Sequence, residues 1–507
     1  MLVLPMYVAL GAPSVALPSI GRALAVPFGA TAWILAAWSL TSALAMPVAG
    51  RLLVRWSPFQ VLVTGVVALA AGSALAGVGP TLSVVIVGRL IGGAGAGATV
   101  IAVYAAATAL PGRQRIRALG IIAAASATAS GCGTLLGGAV TTWLGWRAVL
   151  AIPVLALPLL LVAWPSRRAL ARSGGGSGEG SDGGSDGDSG SGGRNGSTGR
   201  NGSAGRNGSA GRNGSAGRNG SAGRNDSAGR NGSTGRLDIV GAAVLSVLAG
   251  SLITLLQAHS VGLPAPVTLA VAVAGALAAV GLWWRVRSTP DAFVPRRVIA
   301  SRGFLAAGLI GGAVFAGYYG VLFRAPSLIE QATGGGPLEA GLFLVPAAVC
   351  SVLAGRLVGT LTDRFAGWQV TAGLAALTVA GVLVVAIFTG PVLIVVGTAL
   401  TVCGFAGAQA VLVGLAPDLV AADDRDTAQS LLNFMNALGG GIGPAAVAGL
   451  SGIVPAPAAL AALAALPLAG LVLSLTRRPS ADLRPSSDRR PSSDRRPEPA
   501  ATRGSPR

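Results

Sequence analysis

Leu82-Ser-Val-Val-Ile-Val-Gly-Arg89-Leu-Ile-Gly-Gly-Ala-Gly-Ala-Gly97-Ala-Thr-Val-Ile-Ala-Val-Tyr104-Ala-Ala-Ala107 is a run of 26 residues with one charge, Arg89, at its eighth position. A helix needs about 20 mostly apolar residues to cross a bilayer, so this run is long enough to span one. Its charge then lies near mid-membrane, where insertion costs roughly 2.5–3.5 kcal/mol. Such an arginine must face protein or water. Function is the default expectation for it, against a structural arginine held by backbone carbonyls. The small residues from Gly92 to Gly97 let helix backbones approach closely.

The rest of the chain repeats this character. It has 507 residues, 52% hydrophobic and 11% charged, with 77 glycines and a net charge of +19. Soluble globular domains carry roughly 25% charged residues. The pI of about 11.6 would ordinarily point to nucleic acid. The distribution of charge removes that reading, because residues 165–236 hold 11 arginines against 5 acids and residues 477–507 hold 9 against 4. The remaining 404 residues carry 17 arginines and 9 acids and no lysine, too little charge for a water-soluble core. Cys132, Cys350 and Cys403 each lie alone in apolar runs, without pairing or metal-ligand spacing, and read as buried structural thiols.

Cutting the apolar runs at arginine, proline and glycine gives fourteen spans: 3–23, 31–53, 59–79, 82–107, 116–140, 145–164, 237–258, 264–284, 303–325, 337–358, 368–388, 391–415, 427–452 and 456–476. The implied organisation is an N-terminal six-helix bundle (1–164), a linker (165–236), two extra helices (237–284), a loop and C-terminal six-helix bundle (285–476) and a tail (477–507). With a cytoplasmic N-terminus, the arginines concentrate on the cytoplasmic side and leave Arg22, Arg147 and Arg324 outside, as the positive-inside bias requires. Both termini are then cytoplasmic in a multi-pass protein of the inner, or cytoplasmic, membrane. Arginine in place of lysine, with abundant alanine and glycine, suggests a GC-rich bacterium. The linker repeats Arg-Asn-Gly-Ser-Ala/Thr-Gly from Arg194 to Arg236, and the tail repeats Arg-Pro-Ser-Ser-Asp-Arg. Both are low-complexity and too polar to pack a core, so both read as disordered.

Val15 to Ile20, Trp33 to Leu52, Arg89 to Gly97, Gly133 to Arg147, Pro337 to Pro346, Gly359 to Phe365 and Gly439 to Pro444, taken in their joint order and spacing, resemble the major facilitator superfamily, in its fourteen-helix drug:proton antiporter branch. Val15-Ala-Leu-Pro-Ser-Ile20 is similar to the end of that family's first-helix motif. Trp33 to Pro47 followed by Gly50-Arg51-Leu52 resembles the second helix and the loop after it, and Gly359-Thr-Leu-Thr-Asp363-Arg364-Phe365 repeats that loop in the second half. Arg89 to Gly97 resembles the fourth-helix motif. Gly133-Thr-Leu-Leu-Gly137-Gly138 with Trp143 to Arg147 resembles the fifth-helix motif that marks antiporters. Pro337 to Pro346 and Gly439-Gly-Gly-Ile-Gly443-Pro444 match the tenth and thirteenth helices.

The resemblance implies an all-α membrane fold of two six-helix bundles plus two central helices. It further implies drug or antibiotic efflux by alternating access, coupled to protons, with the lipid bilayer and a small amphipathic compound as partners and neither nucleic acid, metal nor cofactor. It carries a gating role to Gly50, Arg51, Arg55, Gly359, Asp363 and Arg364, with Gly359 turning the chain, and a coupling role to Arg89. Gly93, Gly97, Gly133, Gly137, Gly138, Gly439 and Gly443 read as helix-packing glycines, or as surfaces on which the halves pivot. The residues offered to a cavity are Trp33, Tyr104, Phe315, Tyr318, Gln409 and Asn433, among few polar groups, which suits amphipathic molecules. With Arg89 the deep charge of the first half, neutral or anionic substrates are favoured over multivalent cations. Packing or interfacial roles are the alternative for the aromatic ones.

The chain departs from the family where protons are concerned. The first acid is Glu179, in the linker, so the first six spans hold no carboxylate. The aspartate usual in the family's first helix falls on Ala9, the loop aspartate on Val54, the fourth-helix glutamine on Gly92 and the fifth-helix proline on Thr134. Candidate coupling acids are therefore Glu339, which could equally complement a helix dipole, Asp238 and Asp418. His259, the sole histidine, reads as a solvated loop residue, and no catalytic constellation for an enzyme is present. A carrier without proton coupling, importing or equilibrating its substrate, and a non-transporting scaffold or sensor are the rival readings.

Overall fold

The structure, a computed structural model, describes residues 3–53, 55–108, 114, 132–163, 238–289, 295–421 and 424–477. The repeat linker, the tail beyond Arg477 and the first part of the expected fifth span, with Arg113, Arg115 and Arg117, lie outside the described residues. Among the described residues every regular element is helical.

The first half contributes α1 (Val3–Ala23), α2 (Ala32–Leu52), α3 (Pro58–Val78), α4 (Leu82–Thr108), α5 (Cys132–Leu144), α6 (Trp146–Ala151) and α7 (Ala156–Ala163). Two further helices come next, α8 (Ile239–Val261) and α9 (Ala265–Ser288), then the short α10 (Arg296–Ala300). The second half is built from α11 (Arg302–Thr333), α12 (Pro337–Phe343), α13 (Val345–Arg364), α14 (Gly367–Ile387), α15 (Pro391–Leu415), α16 (Arg425–Leu450), α17 (Ala456–Leu463) and α18 (Ala465–Leu475). Eleven candidate spans among the described residues are long and apolar enough to cross a membrane, against the fourteen expected. The expected fifth and sixth spans are represented by shorter apolar helices. The sixth is interrupted by a 3-10 turn at Ile152–Leu155, where Pro153 supplies no backbone donor.

Local sequence sets the helix ends. Ser57 and Gln60 form a reciprocal capping box at the start of α3, Ser57 Oγ accepting from the Gln60 amide at 3.3 Å and Gln60 Oε1 from the Ser57 amide at 2.9 Å. Gly334, at φ +72, takes the left-handed conformation that ends α11. Inside the bundle, backbones touch. The Gly381 Cα faces the Gly397 carbonyl so closely that a Cβ would stand 2.5 Å from its oxygen, and Gly88 is packed equally tightly against the Ala76 amide. In lipid, where apolar burial gives no drive for helix association, such contacts supply the attraction.

The two halves meet along α2 and α16 and again where α1 approaches α11. At the end of the molecule that carries Arg22, one apolar cluster joins them, with Leu17, Ile20 and Ile34 against Val321, Phe323, Ile329 and Ala340. Phe28 stacks on Phe323 there, ring centroids 4.9 Å apart. Toward the other end, Gly355, Arg356, Leu357, Gly359, Thr360, Asp363 and Arg364 of α13 are exposed. Of the inserted pair, α8 lies against α16 and α2, whereas α9 packs chiefly on α8 and exposes Leu269, Leu277 and Trp284.

Three expectations are corrected. Gly359 does not turn the chain: α13 continues to Arg364, and the direction changes at Phe365 and Ala366. His259 lies in the last turn of α8, not in a loop, with Nε2 3.0 Å from the Gly452 carbonyl oxygen. Cys132 is exposed, and Cys350 and Cys403 are half-buried. An apolar neighbourhood does not imply burial when the outer face of the bundle is itself apolar.

The close contact of α11 with α16 is testable. Gly443→Leu, which forces a side chain onto the Ala316 carbonyl, is expected to cost about 1–3 kcal/mol by overpacking. Gly373→Leu, with nothing within 4 Å of its Cβ position, is expected to be nearly neutral. Thermal unfolding of the purified proteins compares them, and equal melting of the two variants would refute the contact.

Candidate functional site

The deepest charge is Arg89, 1% exposed on α4. Its Nε donates to the Ile34 carbonyl at 3.1 Å and one terminal nitrogen, Nη2, to the Ala9 carbonyl at 3.2 Å. Its Cζ sits 4.1 Å from the centroid of a Trp38 ring, a cation–π contact strengthened by exclusion of water. The other terminal nitrogen, Nη1, is buried without a hydrogen-bond partner. The guanidinium is thus clasped by the backbones of α1 and α2 and by an indole, with no carboxylate. Ala9, where the family resemblance would place an acid, supplies a carbonyl oxygen instead.

Glycines make the clasp possible. Gly93, four residues after Arg89, abuts the Trp38 carbonyl, and Gly97 abuts that of Ser42, so α4 lies directly on α2. On α5, Gly137 abuts the Ala12 carbonyl, Gly138 abuts that of Pro337 in the other half, and a Cβ at Gly133 would stand an ordinary 3.4 Å from the Val8 carbonyl oxygen. Gly439 and Gly443 abut the Gly312 and Ala316 carbonyls. Apart from Gly133, these packing glycines leave no room for a side chain.

The aromatic residues gather in the second half. Tyr318 stacks on Phe405 at 4.2 Å, Phe315 meets Phe405 edge-on at 4.6 Å, and Tyr318 meets Tyr319 edge-on at 4.9 Å. Of the residues offered to a cavity, Phe315 and Tyr318 come together here, and Gln409 stands one turn from Phe405 on α15. Trp33 does not join them, because its face of α2 is covered by α8 through Ala249 and Ile253. Tyr104 is half-buried against the apolar cluster inside the first half. Asn433 is half-buried on α16; three residues on, Asn436 is 2% exposed with neither amide atom hydrogen-bonded. Phe405 escaped the sequence reading, although its i, i+4 relation to Gln409 places both on one helix face.

The carboxylates divide by role. Asp238 caps α8, its Oδ1 accepting from the Gly241 amide at 2.8 Å, and it pairs with Arg285 of α9 at 2.7 Å. It therefore ties the two inserted helices together and does not meet the aromatic cluster. Glu339, in the first turn of α12, lies over Gly335 in the wall of a cavity of about 530 Å³ between the halves at the Arg22 end, with Ser19, Thr141, Trp146 and Pro337. Glu330, which sequence reasoning passed over, lies beyond the expected span 303–325 because α11 runs on through Pro326 to Thr333. It faces Arg22 of α1 at 3.8 Å. Of the loop residues, Gly50 is placed so that a Cβ there would stand 3.7 Å from Ser430 Oγ in the other half, Arg51 is half-buried, and Arg55, Asp363 and Arg364 are exposed.

A profile of the Major Facilitator Superfamily matches residues 1–196, 237–444 and 309–504. An uncharacterized transporter of that type from Mycobacterium tuberculosis is 34% identical over 142 residues, 28% of this chain and 21% of the relative. The cephamycin export protein of Amycolatopsis lactamdurans is 31% identical over 169 residues, 31% of this chain and 34% of that protein. The chain thus spans a fifth to a third of these relatives' length. A bacterial homologue of the human lysosomal transporter Spinster, in an inward-facing and unoccupied conformation, is similar in fold, with a TM-score of 0.53 at 14% identity over 94% of this chain and 93% of that one.

The clasp predicts that Arg89→Ala, which leaves a cavity and removes the hydrogen bonds to the Ile34 and Ala9 carbonyls, destabilises the purified protein by about 2–5 kcal/mol. Arg89→Lys keeps the charge but lacks the fork to reach both oxygens, and its melting should fall between the two. A melting temperature unchanged in Arg89→Ala would mean that the guanidinium holds nothing together.

Proposed function

We propose that this chain, which belongs to the Major Facilitator Superfamily, exports small amphipathic compounds by alternating access, driven by protons. The observation that carries the reading is the apolar seam along which the two halves meet at the Arg22 end. The Arg22 end is closed between the halves by Ile20, Phe28, Phe323 and Ile329, and α2 also meets α16 toward the other end through Ala43, Leu44 and Val48. Two helix bundles that meet along one seam, without a segment woven between them, are the parts that a rocking carrier moves against each other. With the arginine-rich side cytoplasmic, the sealed end faces outward, and the protein sits in the cytoplasmic membrane with both termini inside.

The patch of Phe315, Tyr318, Tyr319 and Phe405 gives an amphipathic compound aromatic faces, and Gln409 and Asn433 give it polar anchors. Arg89 acts on the N-half bundle as a whole: its clasp holds α1, α2 and α4 as one rigid body. Asp363 and Arg364 are exposed at the end of α13, where the family resemblance places a gating loop. The name of the cephamycin export protein supports efflux of an antibiotic-like compound over uptake. A carrier without proton coupling is the second reading, favoured by the absence of carboxylates before residue 179.

A susceptibility panel in an efflux-deficient bacterial host tests the export reading. Expression of the full chain should raise the tolerated concentration of one or more amphipathic antibiotics several-fold, Phe405→Ala should shift the substrate profile, and Arg89→Ala should abolish protection. Protection against none of a chemically broad panel, from protein shown to reach the membrane, would overturn it.

A further inference from the structure

We propose that Glu330 is a proton-binding site whose occupation is tied to closure of the Arg22 end. α11 has 32 residues, about 48 Å at 1.5 Å per residue, against a hydrocarbon core of about 30 Å. With Arg324 already charged, the last turns, including Glu330, project toward water. Yet the closed end leaves the Glu330 side chain only 12% exposed, and its Oε1 is buried without a hydrogen-bond partner.

Few charges act on it. Arg22 of α1 reaches Oε2 at 3.8 Å from a side chain that is 72% exposed. Arg324, six residues back on α11, holds Ser327 through Nη1 and lies over the Phe28 ring at 5.3 Å. Glu339 of α12 lies over Gly335. The neighbouring ends of α14, α15, α16 and α17 carry no ionisable side chain; Arg425 and Asp418, beside α16, lie at the opposite end.

A long, solvent-exposed ion pair returns little free energy. A carboxylate oxygen held out of water with no donor costs more than that pair returns. Closing the end is therefore easier when Glu330 carries a proton taken from the adjoining water, and opening gives the oxygen back to water, where the proton can leave. Acid should favour the closed end. An ion pair that held the halves together would give the opposite sign, because protonation would break it. The proposal rests on the alternating-access reading for the existence of an open state of this end.

The test uses the full chain in lipid nanodiscs, with Cys132, Cys350 and Cys403 replaced by serine and spin labels at Ala23→Cys and Ala332→Cys, both beside the pair. Acidification should move the distance distribution toward its short component, the short-to-long ratio changing by up to roughly tenfold per pH unit for one linked proton. Glu330→Gln should stay short at every pH, Glu330→Asp should keep the response, and Arg22→Ala should move it to higher pH. Lengthening on acidification, a long distance in Glu330→Gln, or no response in the unsubstituted chain would overturn the proposal. Export of a fluorescent amphipathic dye, measured in parallel, separates the two readings. Export without the distance response sinks the proton site alone, and the response without export sinks the transport reading alone.

Discussion

Direct contact between helix backbones is the constraint on which the rest of this structure depends. In a bilayer, apolar burial does not drive one helix onto another, and close packing at small residues has to do so. Gly93 against the Trp38 carbonyl, Gly439 against the Gly312 carbonyl and Gly443 against the Ala316 carbonyl bring α4 onto α2 and α16 onto α11 without a spacer. The Arg89 clasp depends on the same contact. Only when α1, α2 and α4 lie this close can one guanidinium reach the Ala9 and Ile34 carbonyls and rest on Trp38.

That clasp explains how a first half without acids keeps an arginine in its interior. Carbonyl dipoles and an indole face take the place of a counter-ion, which fixes the helices but provides nothing that can release a proton near neutral pH. The described carboxylates all lie at Asp238 or later in the chain, and they are not equivalent. Asp238 is consumed in capping α8 and pairing Arg285, Asp418 pairs loosely with Arg425 in the open, and Glu330 and Glu339 stand at the end where the halves close. On the proposed reading, proton linkage falls to the second half and to the seam.

Much of this was legible in the residues. Runs such as 82–107 gave helices close to their expected bounds, because length and the lack of charge are properties of a segment alone. Arg89 stood out for the same reason: a lone charge inside such a run must be held by something. Which face of a helix turns inward was not legible, because the lipid-facing side is as apolar as the core. Trp33 was therefore offered to a cavity and lies instead under α8, and Cys132 was expected inside and is exposed. Glu330 was passed over because Arg324 and Pro326 looked like the end of a span, whereas α11 continues for seven residues beyond Pro326 to Thr333. The partner that gives Glu330 its meaning, Arg22, is more than 300 residues away in sequence.

The central claim is that a carrier with no carboxylate in its first half still couples export to protons. The most direct measurement is transport of a fluorescent amphipathic dye by the full chain in proteoliposomes with an imposed pH gradient. Dye movement opposite to the proton gradient, lost when an ionophore dissipates that gradient, is the predicted result. Dye movement of equal rate with and without the gradient would contradict the account and leave a carrier that only equilibrates its substrate.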